Sequence, residues 1–174
     1  MKPLQLLAVG PVDEKLIRRL RSAIPNCFPA SCTVLPEVLD PEPTFHAERQ
    51  QYHSSEILRL MQRFVDPDGG LLLGITAMDL YIPILTFVFG EAQMGGPCAV
   101  VSAYRLRQEF YGLPPDKELL SQRLMKESVH ELGHTAQLAH CGDYRCVMAP
   151  SHAVEWIDLK EDKLCDACRA RIEG

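Results

Sequence analysis

The segment from residue 130 to residue 141 reads HELGHTAQLAHC, and it constrains local structure more than any other stretch of this sequence. It contains three histidines, one glutamate and one cysteine, in a chain that has six histidines altogether. Histidines four positions apart lie on one face of an α-helix, with β-carbons roughly 6 Å apart. The spacing of His130 and His134 therefore predicts a helix that directs two imidazole rings at one point.

The same residues form the HExxH pattern of zinc-dependent hydrolases. Glu131 lies about 100° around the helix from His130, so its carboxylate can reach a water on the metal without being a ligand. Zinc lowers the pKa of its bound water to about 7, and a carboxylate that accepts the proton assists attack on a peptide carbonyl. Because HExxH also occurs by chance in amphipathic helices, its surroundings must decide the interpretation.

His140 lies ten positions after His130 and can supply a third ligand if the chain leaves the helix between His134 and His140. Such a turn usually contains glycine, but this sequence has Gln137 there. A non-glycine residue in the left-handed conformation costs about 1 to 2 kcal/mol, which zinc ligation offsets several times over. Alternatively, the turn forms differently, using Gly142, and His140 is displaced from the metal.

Four cysteines follow in two pairs with the spacing of zinc knuckles. Cys141 and Cys146 form C-x4-C, and Cys165 and Cys168 form C-x-x-C. Two reduced pairs of this kind close a tetrahedral four-thiolate zinc site. The alternative is a redox C-x-x-C, but its flanks lack the strand-to-helix context of a thioredoxin-like unit. The cysteines therefore predict a structural zinc ion.

Residues 130–168 resemble the archaemetzincin family of metzincin-like zinc metallopeptidases. The family's pattern is H-E-x-x-H-x-x-G-x-x-x-C, then x4-C-x-Met, a spacer and C-x-x-C, and it is matched at His130, Glu131, His134, Cys141, Cys146, Met148, Cys165 and Cys168. The resemblance implies that His140 is the third histidine and that CVMAPS forms the Met-turn, with Met148 packed beneath the metal. The sequence departs from the pattern at Gln137, and its sixteen-residue spacer before Cys165 is one shorter than usual.

This resemblance implies zinc-dependent hydrolysis of peptide bonds with Glu131 as the general base. It implies two Zn²⁺ ions per chain, a catalytic ion on His130, His134 and His140 and a structural ion on Cys141, Cys146, Cys165 and Cys168. The expected partner is a peptide or protein substrate that pairs with an edge strand from Ala99 to Ala103. His152, four residues after Met148, is a candidate for lining the cleft, and the alternative is a solvated loop histidine.

Two other functions stay open. One is a zinc-stabilised, catalytically weak or inactive peptide-binding protein of the same fold, in which Gln137 in place of glycine indicates the loss of catalysis. The other has an accidental HExxH and a redox cysteine pair, and it predicts no stoichiometric zinc.

Hydrophobic periodicity predicts an α/β (α+β) domain of the zincin type. A strand and helix open the chain, a second helix follows near residue 54, and three strand-like runs, GGLLLGITAMDLY, ILTFVFGEAQ and CAVVSAYRL, suggest a mixed twisted sheet. A long helix from Asp116 to about Gln137 carries the histidines. We predict a single domain over 1–174, with an N-terminal subdomain over 1–140 and a zinc-stapled, cysteine-rich subdomain over 141–174.

Composition excludes several partners. The net charge is −5 and basic residues are dispersed, which gives no electrostatic footprint for nucleic acid or an anionic membrane. The opening MKPLQLLAVGPVDEK has too short an apolar run for a signal peptide, and no apolar span of membrane length follows. These features predict a soluble, cytoplasmic protein whose seven cysteines are reduced or bound to metal.

Overall fold

A five-stranded sheet with helices on both faces forms the centre of the computed structural model, which describes residues 2–174. The strands are β1 (Lys2–Val9), β2 (Ala30–Leu39), β3 (Phe45–His46), β4 (Gln51–His53), β5 (Leu71–Thr76), β6 (Leu80–Tyr81), β7 (Gly90–Ala92) and β8 (Cys98–Ser102). The helices are α1 (Glu14–Ala23), α2 (Ser54–Met61), α3 (Lys117–Thr135), α4 (Val154–Leu159) and α5 (Asp166–Glu173).

The main sheet has the strand order β2-β1-β5-β8-β7. Strands β2, β1, β5 and β8 are parallel, and β7 runs antiparallel to β8 at one edge. All six residues of β5 are buried, as expected for a central parallel strand that is covered on both faces. A smaller sheet has the order β3-β4-β6.

The apolar residues of β1 show how the sheet forms two cores. Leu4 and Leu6 belong to the core shared with α1 and α3, whereas Leu7 and Val9 belong to the core shared with α2. This division follows the alternation of side chains along a strand. The mixed sheet between helices confirms the predicted α/β class, and the division at residue 140 stays a prediction.

The long helix predicted to carry the histidines is α3. It begins after Asp116, whose carboxylate accepts a hydrogen bond from the backbone N–H of Leu119, as an N-cap residue does. The helix packs against β7 and β8, and this places the HExxH residues beside the edge of the sheet. Among residues 2–174, no helix is both long enough and apolar enough to cross a bilayer.

Two strand predictions are wrong. The segment from Ala99 to Ala103 is not an edge strand, because β8 pairs with β5 on one side and with β7 on the other. The edge strand is β7, which pairs antiparallel with β8 and occupies its outer side. Of the run ILTFVFGEAQ, only Gly90–Ala92 is in a strand, because residues 84–89 follow Pro83 into turns and irregular structure.

Candidate metal centre

Three histidine rings converge at the end of α3. The Nε2 atoms of His130 and His134 are 3.1 Å apart. The ring of His140 has its centroid 5.3 Å from that of His130 and 5.1 Å from that of His134. One nitrogen from each ring lies within 4.8 Å of the other two, so the structure brings together all three histidines that the sequence singled out.

Backbone carbonyls fix the orientation of two of these rings. Nδ1 of His130 lies 2.8 Å from the carbonyl oxygen of Val147, and Nδ1 of His134 lies 2.7 Å from that of Leu138. A carbonyl oxygen can only accept, so each Nδ1 carries the proton and donates it. Each Nε2 is then a bare acceptor.

Two unprotonated Nε2 atoms this close together are arranged to bind a cation between them. Neither Nε2 can donate to the other, and a positive ion satisfies both lone pairs. In a tetrahedral zinc site, ligand nitrogens stand about 3.4 Å apart, close to the 3.1 Å between His130 and His134. The three imidazoles therefore fit zinc in donor type, tautomer and spacing.

The surroundings keep these rings neutral, which is the form that binds a metal. Burial, together with the nearby charge of Lys160, lowers the pKa of His130 to about 2. Burial also lowers the pKa of His134 and that of His140. The site therefore does not have to release imidazole protons before metal binds at neutral pH.

The turn that returns His140 to the site forms at Gln137. This residue has φ of 64°, in the left-handed region. Its N–H donates to the carbonyl of His134 over 3.0 Å, and the N–H of Leu138 donates to Gly133 over 3.0 Å. These two bonds make a Schellman motif, the usual end of a helix at a left-handed residue. Glutamine thus occupies the glycine position of the family's pattern without displacing His140.

Strain at this turn gives a testable prediction. We expect Gln137→Gly to raise the free energy of unfolding by about 1 kcal/mol, because glycine adopts positive φ without steric cost. Gln137→Ala is the matched control, since it removes the side chain but keeps a β-carbon at φ of 64°. Urea denaturation of the three zinc-loaded proteins compares them. Equal stabilities of the glycine and alanine variants would show that the backbone is not strained there.

Glu131 lies against the edge strand, and the absence of a side chain at Gly90 makes room for it. A β-carbon at Gly90 would stand 2.8 Å from Cγ and 2.9 Å from Oε1 of Glu131. Burial raises the pKa of the Glu131 carboxyl well above its usual value, and the charge of Glu127 raises it further. Gly90 could not be singled out from the sequence, because nothing in the local pattern shows which strand faces α3.

Met148 is fully buried against α3. Its thioether lies against Gly133 of α3 so closely that any β-carbon at Gly133 would overlap the sulfur. The carbonyl of Met148 accepts a hydrogen bond from the N–H of Cys141 over 2.9 Å. The structure therefore places Met148 as a packing base for α3, where the family resemblance puts the Met-turn.

The four cysteines form a second cluster. Their Sγ atoms lie within 4.8 Å of one another, and those of Cys141 and Cys165 are 3.9 Å apart. The Sγ atom of Cys146 accepts from the N–H groups of Met148 and Cys165, each over 3.4 Å. The backbone N–H of Cys168 lowers the pKa of Cys165. Four thiols this close together, with backbone N–H groups directed at Cys146 and Cys165, fit a tetrahedral zinc ion.

The two clusters share segments of chain. The carbonyl that orients His130 belongs to Val147, which follows Cys146 directly. His140 directly precedes Cys141. The positions of two of the three imidazoles are thus tied to residues of the cysteine cluster.

A cleft of about 720 Å³ opens over the histidines along the edge strand β7. Its walls include apolar residues on both sides of β7 and residues at the end of the Met-turn and just after it: Phe87, Val88, Phe89, Met94, Pro150 and His152. A larger cavity of about 870 Å³ lies between α1 and β2. Among residues 2–174, groups of three or more potential metal ligands occur only at the histidine and cysteine clusters. Because the histidines line the cleft over α3, this cleft rather than the larger cavity is the candidate active site.

The sequence is similar to those of archaemetzincins and of peptidase family M54. The sequence model of peptidase family M54 matches residues 41–174. The chain is 38% identical to the archaemetzincin of Methanocaldococcus jannaschii over 165 residues, covering 95% of this chain and 89% of that protein. It is 37% identical to the archaemetzincin of Archaeoglobus fulgidus over 161 residues, covering 92% and 93%.

Solved structures of archaemetzincins have the same fold as this chain. The crystal structure of the Archaeoglobus fulgidus archaemetzincin complexed with malonate superimposes with a TM-score of 0.83 at 35% identity, over 97% of this chain and 99% of that one. That of the Methanopyrus kandleri archaemetzincin superimposes with a TM-score of 0.86 at 33% identity, over 99% and 93%.

Proposed function

Because the chain belongs to peptidase family M54 and is a zinc metallopeptidase, we propose that it hydrolyses peptide bonds in the cleft over α3, with Glu131 as general base. One observation carries the proposal: three neutral, converging imidazoles and one buried carboxylate lie together beneath an edge strand. His130, His134 and His140 would hold one zinc ion, and the four cysteines would hold a second.

In this proposal the histidines bind the metal and Glu131 transfers the proton. Zinc, when bound by the histidines, supplies Lewis-acid activation of water and of the substrate carbonyl. The carboxylate of Glu131, which follows His130 on α3 and lies beside Gly90, accepts the proton of the attacking water. Glu131 then donates that proton to the leaving amine nitrogen. The carbonyls of Val147 and Leu138 hold His130 and His134 in their orientations throughout.

The substrate would bind as an extended peptide along β7. This strand pairs with β8 on one side only, so its outer backbone N–H and C=O groups are available for strand addition. Gly90 brings the backbone of β7 next to Glu131, and a peptide added there would run past the proposed base. Pairing with β7 replaces the expected pairing with Ala99 to Ala103.

The alternative of an inactive peptide-binding protein rests on Gln137. The helix ends in a Schellman motif at this residue, and His140 lies beside the other two rings. The substitution therefore gives no reason to expect a lost metal site, and we favour catalysis.

Zinc content and peptide cleavage together test this function. We expect two zinc ions per chain in the wild type and one in His140→Ala, with cleavage of a mixed peptide library, read by mass spectrometry, in the wild type only. His46→Ala is the control, because His46 is an exposed residue of β3 outside both clusters. A wild type with one zinc ion and no cleavage would contradict the proposal.

A further inference from the structure

Lys160 is a fully buried lysine at the end of α4. Its side chain is 0% exposed, and it is among the largest fully buried side chains of the protein. Lysine is almost never buried in this way unless its charge is paired. Neither the HExxH pattern nor the cysteine pattern includes it.

The Lys160 ammonium contacts three parts of the proposed active site. Its Nζ lies 2.8 Å from Oε1 of Glu127 on α3. It lies 3.2 Å from the carbonyl oxygen of Ala149, the residue after Met148, and 3.4 Å from Nδ1 of His130. A single side chain thus spans the active-site helix, the Met-turn and the first histidine.

The tautomer of His130 determines where the ammonium hydrogens go. Because Nδ1 of His130 donates to Val147, it cannot also accept from Lys160. The ammonium therefore donates to the carbonyl of Ala149 and forms an ion pair with the Glu127 carboxylate. These two contacts tie the Met-turn to α3 within two residues of the Val147 carbonyl that orients His130.

The ion pair also gives the two neighbouring carboxylates of α3 different partners. Glu127 and Glu131 are four residues apart on α3, so they share a face of the helix, and both line the cleft. Lys160 engages Glu127, whereas Glu131 lies one turn further on, beside Gly90.

We propose that Lys160 and Glu127 form a positioning pair for the catalytic metal site: they hold the Met-turn on α3 so that the Val147 carbonyl keeps His130 directed at the metal. The inference rests on the proposed function in one respect, that His130 is a zinc ligand. Neither residue of the pair touches substrate in this role.

Other contacts already attach α4 to α3, so Lys160 is not needed for that purpose. Arg123 makes a two-point ion pair with Asp158 over 2.8 Å and 2.7 Å. Lys126 donates to the carbonyl of Ile157 over 3.1 Å. Lys126 therefore offers a matched control, because it is a lysine between the same two helices without a contact to the Met-turn.

The test is the zinc affinity of the histidine site, measured by competition with a chromophoric chelator on the intact protein. We expect Lys160→Met to weaken this affinity about 10- to 100-fold, the usual effect of removing a group that orients a ligand. The zinc of the cysteine site should be retained, and Lys126→Met should bind like the wild type. A Lys160→Met variant with wild-type affinity would overturn the inference.

A double variant separates positioning from charge neutralisation and guards against misfolding. Glu127→Gln with Lys160→Met leaves no uncompensated buried charge, so it should be more stable than Lys160→Met alone. Its histidine site should still bind zinc weakly, because the contact with Ala149 is missing. Wild-type affinity in the double variant would overturn the inference, since Lys160 would then serve only to neutralise Glu127.

The same measurement distinguishes this inference from the proposed function. If the wild type binds no zinc at the histidines, both fail. If the wild type binds zinc there and Lys160→Met binds it equally well, only the positioning role fails.

Discussion

Glu131→Gln will reduce the rate of peptide hydrolysis by about 10²- to 10⁴-fold while the zinc content stays at its wild-type value. Glutamine has nearly the same shape as glutamate and fits the same space beside Gly90, but its amide cannot accept the proton of the attacking water. Glu127 does not replace it, because its carboxylate is paired with the Lys160 ammonium. Initial rates on one library-derived peptide, with elemental analysis of the same samples, measure both quantities.

The control for this prediction is Glu118→Gln. Glu118 lies in the first turn of α3 and is exposed, so the change removes one carboxylate from the same helix far from the histidines. Its activity should equal that of the wild type. Hydrolysis by Glu131→Gln within a few-fold of the wild-type rate would assign the base to another group.

We expect Cys165→Ser to release the zinc ion that we propose for the cysteine cluster and to lower the melting temperature by roughly 10 °C or more. Zinc binding to four-ligand structural sites contributes about 10 to 16 kcal/mol in small domains, and in a chain of this size each kcal/mol corresponds to about 2 to 4 °C. The cysteines also join α5 to the loop that follows α3, because the two pairs lie on different segments. Differential scanning calorimetry, with zinc counted per chain, tests this effect.

The same variant will also weaken zinc binding at the histidines. Cys146 precedes Val147, whose carbonyl orients His130, and Cys141 follows His140. Cys32→Ser is the control, because Cys32 is a half-buried thiol in β2 outside the cysteine cluster. If Cys165→Ser bound zinc at the histidines as tightly as Cys32→Ser does, the two metal sites would be independent.

The parts of the fold and of the site that depend on residues close together in the sequence could be predicted from it. The histidines of HExxH come together because one helix carries them, and the end of α3 depends on a turn only a few residues long. The cysteine pairs are likewise short motifs whose spacing restricts the geometry. The α/β class also followed from the periods of the hydrophobic residues.

The sequence was insufficient where distant segments meet. Strand order decides that β7 rather than β8 is the edge, and that order depends on pairing between segments far apart in the chain. Residues 84–89 are as apolar as a strand, but residues 85–89 form a wall of the cleft instead. Lys160 reaches Glu127 across 33 positions, a distance at which no local pattern signals a contact.

The adjacency of His140 and Cys141 has a consequence for the order of events when the protein is made. A newly synthesised chain contains HExxH well before residue 168, whereas the residue after the third histidine, Cys141, belongs to a cluster that also includes Cys165 and Cys168. If the two sites are coupled as proposed, hydrolytic ability arises last, after the cysteine-rich segment has folded around its own ion. A chain that is still folding is then protected from being cut by its equally unfinished neighbours.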